Sequence, residues 1–293
     1  MDTALGFVGL GTMGLPMSGH LARAGYRVLG YDPVASTLGA AVAQGLTACA
    51  DAVAVGREAQ IVFTCLPSQK VVRATVEALL GTMQPGGAIV DCSTISPQLA
   101  GELAQITAAR DIGFLDAPLS GAGSGAQAAT LSIMVGGEAA VFERVRPMLA
   151  LMGRNIFHLG PVGSGQTAKL CQNLILVSTL SGVMESVALG RAVGIEPQRL
   201  LEVMDTCLAP TRVMDVLVKP KFDGRVPFDH STDGLTMICK DITLVRELAE
   251  RAGVTLPVGS LIQSLYAQAV AKGHGNQDLL AWYELIEQGV FDR

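Results

Sequence analysis

Residues 6–14 of the chain read GFVGLGTMG, and the glycine spacing in this stretch decides the predicted fold. Three glycines form the pattern G-x-G-x-x-G, with an apolar run before them and a helical pattern after them. The first glycine of such a loop makes a tight turn, the second lets the backbone approach a pyrophosphate, and the third lets helix and strand pack closely. The start of the helix would offer unpaired N–H groups to the phosphates. We therefore predict a dinucleotide site at Gly9, Leu10, Gly11, Thr12, Met13 and Gly14, with a plain strand–turn–helix as the alternative.

An acidic residue follows at the distance that such a site requires. Asp32 ends the second apolar run, 18 residues after Gly14, close to the ~20 expected for the acid that binds the ribose hydroxyls. A carboxylate accepts hydrogen bonds from a 2′-hydroxyl but repels a 2′-phosphate, and Pro33 stands where an arginine could have held that phosphate. We predict NAD rather than NADP as the cofactor. The alternative is that Asp32 merely ends a strand.

The composition narrows the classes of protein to which the chain can belong. With 293 residues, 49% of them hydrophobic, it can form one large or two ordinary domains with a sizeable core. Its net charge of −5 argues against a nucleic-acid partner, because neutralising phosphates needs a basic face. The six cysteines include no C-x-x-C pair and the four histidines lack metal-ligand spacing, so we expect reduced thiols and no metal site. Without the basic segment of a signal peptide at the N-terminus, we expect a cytoplasmic protein.

Strand and helix patterns alternate along residues 1–162. This alternation predicts a parallel, doubly wound sheet of the Rossmann type with right-handed crossovers. Ligands of such sheets bind at the carboxyl ends of the strands. The rule selects Leu66, Pro67 and Thr94 as candidate binding positions, together with the stretch that begins at Pro118. Further strands are predicted at residues 130–135 and 154–159.

Residues 116–122 read DAPLSGA and form a second candidate site. Pro118 cannot continue a central strand. After it, Ser120, Gly121 and Ala122 offer a hydroxyl and accessible backbone N–H groups, which would suit a carboxylate or a carbonyl oxygen. An ordinary glycine- and serine-containing loop is the alternative.

The pattern changes at residue 163, and residues 163–293 are predicted to form an all-α domain. Residues 166–193 read as one long apolar helix without charge between Lys169 and Glu185. A membrane span needs ~20 apolar residues, whereas polar residues such as Gln172 and Asn173 interrupt this run. We therefore predict a buried helix with no membrane contact, surrounded by other helices or by another subunit. Residues 207–231 are expected to be an irregular connection.

Lys169 is the lone charge at the start of this helix, and Asn173 lies one turn further on the same side. An apolar environment disfavours the charged form of a lysine and lowers its pKa, so that the amine can exchange protons near neutrality. Alternatively, Lys169 simply reaches water from the end of the helix. Lys240 beside Asp241 is the other candidate, although such a pair is more often solvated.

Taken together, these stretches resemble the β-hydroxyacid dehydrogenase family, the enzymes similar to 3-hydroxyisobutyrate dehydrogenase, which include the tartronate semialdehyde reductases. The resemblance covers essentially the whole chain. The stretches that carry it are GFVGLGTMG at 6–14, DAPLSG at 116–121, MVGG at 134–137 and GSG at 163–165, with Lys169, Asn173 and Lys240-Asp241.

The resemblance implies a role for each candidate residue. Lys169 would be the catalytic acid and base, and Asn173 would help to hold the substrate. The substrate carboxylate would bind at Ser120, Gly121 and Ala122. Leu66, Pro67 and Thr94 would line the cofactor, and Lys240 would reach both cofactor and substrate.

The chain departs from the family pattern at several positions. Ala122 and Ala129 replace glycines, Gln172 replaces an asparagine, and Asp233 stands where an aromatic residue is common, with Phe228 further away. These changes would reshape the substrate pocket and leave the substrate open.

We predict an NAD-dependent oxidoreductase that transfers hydride between the cofactor and a small 3-hydroxy acid similar to 3-hydroxyisobutyrate, giving the semialdehyde. The related imine reductases usually replace the lysine, so Lys169 favours alcohol chemistry. The alternatives are an NADPH-dependent imine reductase, a reductase of a sulfonated or polyhydroxy acid aldehyde, and an NAD-sensing protein without turnover. We expect a homodimer or homotetramer formed through the helical domain.

Overall fold

The computed structural model describes residues 3–225 and 234–291. The chain forms two compact units, Met1–Lys169 and Leu170–Arg293. The predicted domain boundary between residues 162 and 163 stays a prediction.

The first unit is an α/β fold, as predicted. Its strands are β1 (Leu5–Val8), β2 (Val28–Tyr31), β3 (Thr47–Ala48), β4 (Ile61–Thr64), β5 (Ala88–Asp91), β6 (Gly113–Asp116), β7 (Leu119–Ser120), β8 (Leu131–Gly137) and β9 (Gly153–His158). Its helices are α1 (Gly14–Arg23), α2 (Ala35–Ala43), α3 (Ala52–Glu58), α4 (Gln69–Leu80), α5 (Pro97–Ala108), α6 (Ala122–Gln127) and α7 (Ala139–Leu149). The helix α8 (Ser164–Ala192) begins in this unit and continues into the second.

The strands form one sheet in the order β3-β2-β1-β4-β5-β6-β8-β7, and β9 pairs with β8. The chain order reverses at β1, which has β2 on one side and β4 on the other. Such a reversal opens a crevice at the carboxyl ends of the strands, where ligands of this fold bind. The glycine-rich loop that follows β1 lies at this point.

The sheet is parallel from β3 to β6, as predicted, and β9 also pairs parallel with β8, but the prediction is wrong for the pairs that β8 makes with β6 and β7. There β8 runs antiparallel to both β6 and β7. Only residues 121–130 separate β7 from β8, and a parallel crossover needs a dozen or more residues. The chain therefore turns back, and the short helix α6 fills the connection.

Two hydrophobic cores cover the two faces of this sheet. Alternate side chains of β1 point to opposite faces: Phe7 packs in one core with Met17 of α1, and Val8 packs in the other with Val76 of α4. The central strands β1, β4 and β5 are buried along their whole length. This explains why they read as continuous apolar runs.

The second unit is helical, as predicted. After α8 it contains α9 (Pro197–Asp205), a π turn (Met214–Val218), α10 (Lys219–Phe222), α11 (Leu235–Ala252), α12 (Pro257–Ala269), a π turn (Val270–His274), a 3-10 turn (Leu279–Ala281) and α13 (Trp282–Glu287). Its core includes the stacked rings of Tyr266 and Trp282, whose centroids lie 4.1 Å apart.

The predicted irregular connection at residues 207–231 is wrong for residues 214–222, which are helical. Met214 and Val218 lie one turn apart and are buried, while Lys219 pairs with Asp215 at 2.6 Å on the same helical segment. This alternation of buried and charged positions stabilises a short amphipathic helix. Residues 226–231 lie outside the described part of the chain.

The long helix α8 is buried along one side. Leu170, Val177 and Leu180 are fully buried in the core of the second unit, whereas Ile175 and Leu189 are exposed by 67% and 68%. Among the described residues it is the helix long and apolar enough to cross a membrane, with a mean hydropathy of 1.4 and 39% of the apolar window buried. Its packing into the unit's core agrees with the predicted core helix.

Candidate functional site

The glycine-rich loop lies between the end of β1 and the start of α1. Gly9 has a φ of 90°, in the region that favours glycine, and a Cβ there would lie 2.9 Å from Leu66 Cδ2. A Cβ on Gly14 would collide with the carbonyl oxygen of Gly9. Around the Cβ position of Gly11, by contrast, there is no described heavy atom within 4 Å. The loop therefore leaves open space where its backbone can approach a pyrophosphate.

Asp32 is held beside this loop at the carboxyl end of β2. Its Oδ2 accepts a hydrogen bond from Leu10 N at 2.8 Å, and its Oδ1 accepts one from Val34 N at 2.9 Å. The residue is half-buried. Because each carboxylate oxygen has a second lone pair, both oxygens can still accept hydrogen bonds from the hydroxyls of a ribose.

A buried polar cluster connects the ends of β4 and β5. Asp91 Oδ1 accepts hydrogen bonds from Thr64 Oγ1 at 2.8 Å and from Ser93 Oγ at 2.6 Å. Ser93 Oγ in turn accepts a hydrogen bond from Leu66 N at 2.9 Å. The segments that carry Leu66 and Thr94 are thereby fixed relative to each other. Burial raises the pKa of Asp91 to about 6, although its hydrogen bonds with Ser93 and Thr64 oppose the shift.

The segment that follows β7 lies against the glycine-rich loop. Ser120 is half-buried, and Gly121 and Ala122 are exposed. Gly121 has a φ of 138° and Ala122 one of 53°. A Cβ on the next residue, Gly123, would lie 2.8 Å from Thr12 Cγ2. The structure thus brings the predicted carboxylate-binding segment next to the predicted pyrophosphate-binding loop.

Lys169 lies in the second turn of α8 and is half-buried. Its neighbours Gln166 and Leu170 are fully buried. Lys169 therefore lies on the helix between fully buried positions and the more accessible Thr167 and Ala168.

In the second unit, a buried carboxylate joins two of the predicted site residues. Asp241 Oδ2 accepts a hydrogen bond from Asn173 Nδ2 at 2.8 Å, and Asp241 Oδ1 lies 3.0 Å from Lys240 Nζ. Asn173 is 1% exposed and Asp241 5%, so the alternative of a fully solvated Lys240–Asp241 pair is wrong. Asn173 Oδ1 is buried without a hydrogen-bond partner among the described residues. Because the carboxylate takes the amide N–H₂, the amide oxygen is the atom that Asn173 can present to a ligand.

Within the first unit, the structure gathers the predicted positions at one edge of the sheet. They are the glycine-rich loop, Asp32, Leu66, the Ser93–Thr94 turn and Ser120 to Ala122. Within the second unit, Asn173 and Lys240 each contact Asp241. The predictions at Asp233 and Phe228 fall outside the described residues.

The sequence reasoning missed the buried polar residues Asp91 and Gln166 and gave no role to Asp116. Asp91 and Asp116 stand at adjacent register positions at the ends of β5 and β6. Each aspartate directly follows an apolar run. An acidic residue at the carboxyl end of a predicted buried strand could therefore have identified both as candidate site residues.

Two family models together match nearly the whole chain. The model described as the NAD binding domain of 6-phosphogluconate dehydrogenase matches residues 4–160. The model described as NAD-binding of NADP-dependent 3-hydroxyisobutyrate dehydrogenase matches residues 163–286.

Characterised relatives are similar along their full length. An NAD-dependent L-serine dehydrogenase from Pseudomonas aeruginosa is 35% identical, with 97% of each chain covered. A 3-hydroxyisobutyrate dehydrogenase from the same organism is 36% identical, with 93% of this chain and 95% of the relative covered. The solved structure of the 3-hydroxyisobutyrate dehydrogenase of Mycobacterium tuberculosis with L-serine superimposes with a TM-score of 0.88, at 32% identity, and covers 98% of this chain and 99% of that one.

Proposed function

Because the chain belongs to the β-hydroxyacid dehydrogenase family, whose members are NAD(P)-dependent oxidoreductases, we propose that it oxidises a small 3-hydroxy acid to the semialdehyde. The proposed substrates are 3-hydroxyisobutyrate, serine or a close analogue of either. The observation that carries this proposal is Lys169, which lies half-buried at the start of α8 in a chain similar over its length to serine and 3-hydroxyisobutyrate dehydrogenases.

The residues of the first unit fit a dinucleotide. The open space at Gly11 would admit the pyrophosphate, with the first turn of α1 facing it. We propose NAD as the preferred cofactor, because the Asp32 carboxylate would accept hydrogen bonds from the ribose and repel a 2′-phosphate. Residues 33–44 contain no lysine or arginine that could hold such a phosphate.

In the proposed reaction, the cofactor would accept the hydride and a side chain would accept the proton. When bound, NAD would take up the hydride that leaves the hydroxyl-bearing carbon. Lys169 Nζ would remove the hydroxyl proton in the same step, so that the C–O single bond becomes the carbonyl of the aldehyde. The proton rests on Lys169 until it passes to solvent.

Five further residues would hold the substrate. Ser120 Oγ and the backbone N–H groups of Gly121 and Ala122 would bind the carboxylate. Asn173 Oδ1, which lacks a partner among the described residues, would accept a hydrogen bond from the substrate, and Lys240 would neutralise negative charge near it. Asp241 would keep both of the latter side chains in place.

The test is a panel of substrates with both cofactors. We expect reduction of NAD with 3-hydroxyisobutyrate, L-serine, glycerate, threonate or a sulfonated analogue, and slower reduction of NADP. Turnover of cyclic imines with NADPH and none with hydroxy acids would contradict the proposal.

The variant Lys169→Ala tests the proposed role of Lys169 as the general acid and base. We expect kcat to fall by roughly 10²–10⁴-fold, since this is the contribution of general acid–base catalysis. Lys272→Ala removes an exposed lysine of the second unit and should leave kcat unchanged. Turnover of Lys169→Ala close to that of the wild type would refute its assignment.

We propose further that the enzyme is cytoplasmic and works as a homodimer or homotetramer. The apolar surface on the helices of the second unit supports the proposed assembly. Large side chains there are exposed by 60% or more: Ile175, Leu189, Val258 and Leu261.

A further inference from the structure

A buried carboxylate of the sheet binds the start of the helix that carries Lys169. Asp116, at the end of β6, is fully buried. Its Oδ1 accepts a hydrogen bond from Gly163 N at 2.7 Å, and its Oδ2 accepts one from Gln166 N at 2.8 Å. The first N–H groups of a helix have no partner within the helix. Asp116 therefore satisfies the first turn of α8 and places a negative charge at the positive end of its dipole.

The side chain of Gln166 makes a second attachment at the same turn. Gln166 Nε2 donates to Ser93 O at 2.8 Å, and its Oε1 accepts from Ile95 N at 3.1 Å. Both ends of the amide are used, and the residue is fully buried. The first turn of α8 is thereby joined to the backbone on both sides of Thr94.

Close backbone packing leaves this turn no room to shift. A Cβ on Gly165 would collide with Met134 O and would lie 2.9 Å from Asp116 O. A Cβ on Gly136 would lie 2.6 Å from Asp116 Oδ1. Two glycines thus let the first turn of α8 approach β6 and β8 closely enough for these hydrogen bonds to form.

Lys169 follows Gln166 by three residues, less than one helical turn. Its position relative to the sheet edge therefore depends on the two attachments just described. We propose that Asp116 and Gln166 are positioning residues. They would hold Lys169 near the carboxyl ends of β4 to β7, where the cofactor and the substrate carboxylate would bind. This inference rests on the proposed function of Lys169.

The decisive variant is Asp116→Asn. An asparagine has one acceptor oxygen, so either Gly163 N or Gln166 N would face an N–H₂ group and lose its partner. We expect kcat to fall roughly 10- to 100-fold, because misplacing a catalytic group by about 1 Å has effects of this size. The KM for NAD should stay unchanged, since the side-chain hydrogen bonds of Asp116 go to Gly163 and Gln166 and not to the glycine-rich loop or Asp32. Amide hydrogen exchange of residues 163–169 should become faster.

A second variant and a control separate positioning from folding. Gln166→Met keeps the approximate shape of the side chain but removes both of its hydrogen bonds, and we expect the same fall in kcat and the same faster exchange. Asp51→Asn removes the charge from a comparable cap, since Asp51 Oδ1 accepts from Ala54 N at 2.7 Å at the start of α3. It should change neither kcat nor exchange at residues 163–169.

The outcomes are distinct. Unchanged kcat and exchange in a folded Asp116→Asn would overturn the inference, and if that variant does not fold, Gln166→Met decides in the same way. In Asp116→Asn, a fall in kcat matched by an equal rise in the KM for NAD would also overturn it, because it would point to a general disturbance of the sheet edge. If the wild type turns over no hydroxy acid, the proposed function fails. Faster amide exchange of residues 163–169 in the variants would still support the attachment of α8 by Asp116 and Gln166. Unchanged exchange would still overturn it.

Discussion

Two alanines occupy backbone positions that suit glycine. Ala122 has a φ of 53° and Ala129 a φ of 54°. An L-residue in the left-handed region costs about 1–2 kcal/mol. Ala129 directly follows the C-cap of α6, the position at which helices most often place glycine. The chain therefore stores strain at both ends of a short helix beside the proposed carboxylate site.

Replacing Ala129 by glycine should stabilise the protein. We expect Ala129→Gly to raise the free energy of unfolding by about 0.5–1 kcal/mol, since the relief of strain exceeds the entropy that glycine adds to the unfolded chain. Denaturant titration measures it. Ala128, with a φ of −82°, is the matched control, and Ala128→Gly should destabilise slightly. A loss of stability in Ala129→Gly would show that its conformation carries no strain.

The buried carboxyl group of Asp91 makes stability depend on pH. Burial raises its pKa from 3.8 to about 6 in the folded state. Between these values the unfolded chain has released a proton that the folded chain retains. Stability therefore falls as the pH rises through this window and stays low above pH 6. Burial also raises the pKa of Asp116, which acts in the same direction.

At about 1.4 kcal/mol per pKa unit, the shift of Asp91 corresponds to roughly 3 kcal/mol. We expect urea titrations to show higher stability near pH 4 than near pH 7. In Asp91→Asn, the amide oxygen can keep the bonds from Thr64 and Ser93, and the N–H₂ replaces Oδ2, which has no partner among the described residues. The pH dependence should shrink in this variant. An equal slope in both proteins would rule out Asp91 as its source.

The closeness of the glycine-rich loop and Asp32 could be predicted from the sequence because the parts are local. The glycine spacing, α1 and Asp32 lie within about one strand–helix–strand unit, whose geometry is fixed by short-range rules. Asp116 and Gln166 could not be paired in this way. Their contact joins residues 50 positions apart, and only the folded sheet brings the two segments together.

At the scale of elements, the buried side of α8 should carry much of the stability of the second unit. Leu180 is fully buried in its core, whereas Ile175 on the same helix is 67% exposed. We expect Leu180→Ala to cost about 2–5 kcal/mol, from lost burial and the cavity that remains. Ile175→Ala should change the free energy of unfolding by less than about 0.5 kcal/mol at protein concentrations too low for assembly. Equal costs at the two positions would contradict the described packing.

The sequence predicted long elements better than short ones. The long apolar run of α8 and the shorter apolar runs of β4 and β5 were clear in the sequence. The helices α6 and α10, with six and four residues, lack enough turns to show a period. Helix α6 is built largely from alanine and glycine, so its sequence resembles a loop.

For the whole molecule, the alternation of strands and helices predicted the Rossmann-type first unit, and the change of pattern near residue 163 predicted the helical second unit. The direction of β8 could not be predicted. It depends on which neighbour β8 pairs with, and no local pattern encodes that choice.

The exposed apolar side chains of the second unit predict self-association. We expect light scattering to give two or four times the chain mass of 30.4 kDa. Replacing Leu189 and Leu261 by lysine should lower that mass without unfolding the chain, because both side chains are at least 60% exposed. The mass of a single chain for the wild type would contradict the prediction.

The anchoring of α8 limits how this protein can be recombined with its relatives. A chimaera joined before residue 163 would combine Asp116 of one parent with the Gly163 and Gln166 of another. Such a hybrid would work only if the carboxylate of one parent can accept hydrogen bonds from the backbone of the other at the same distances. A chimaera joined after residue 169 would keep that anchor intact and would exchange only residues of the second unit, such as Asn173 and Lys240. Shuffling libraries that place the crossover within α8, after its first turn and a half, should therefore yield more active hybrids than libraries that cut at the loop before it.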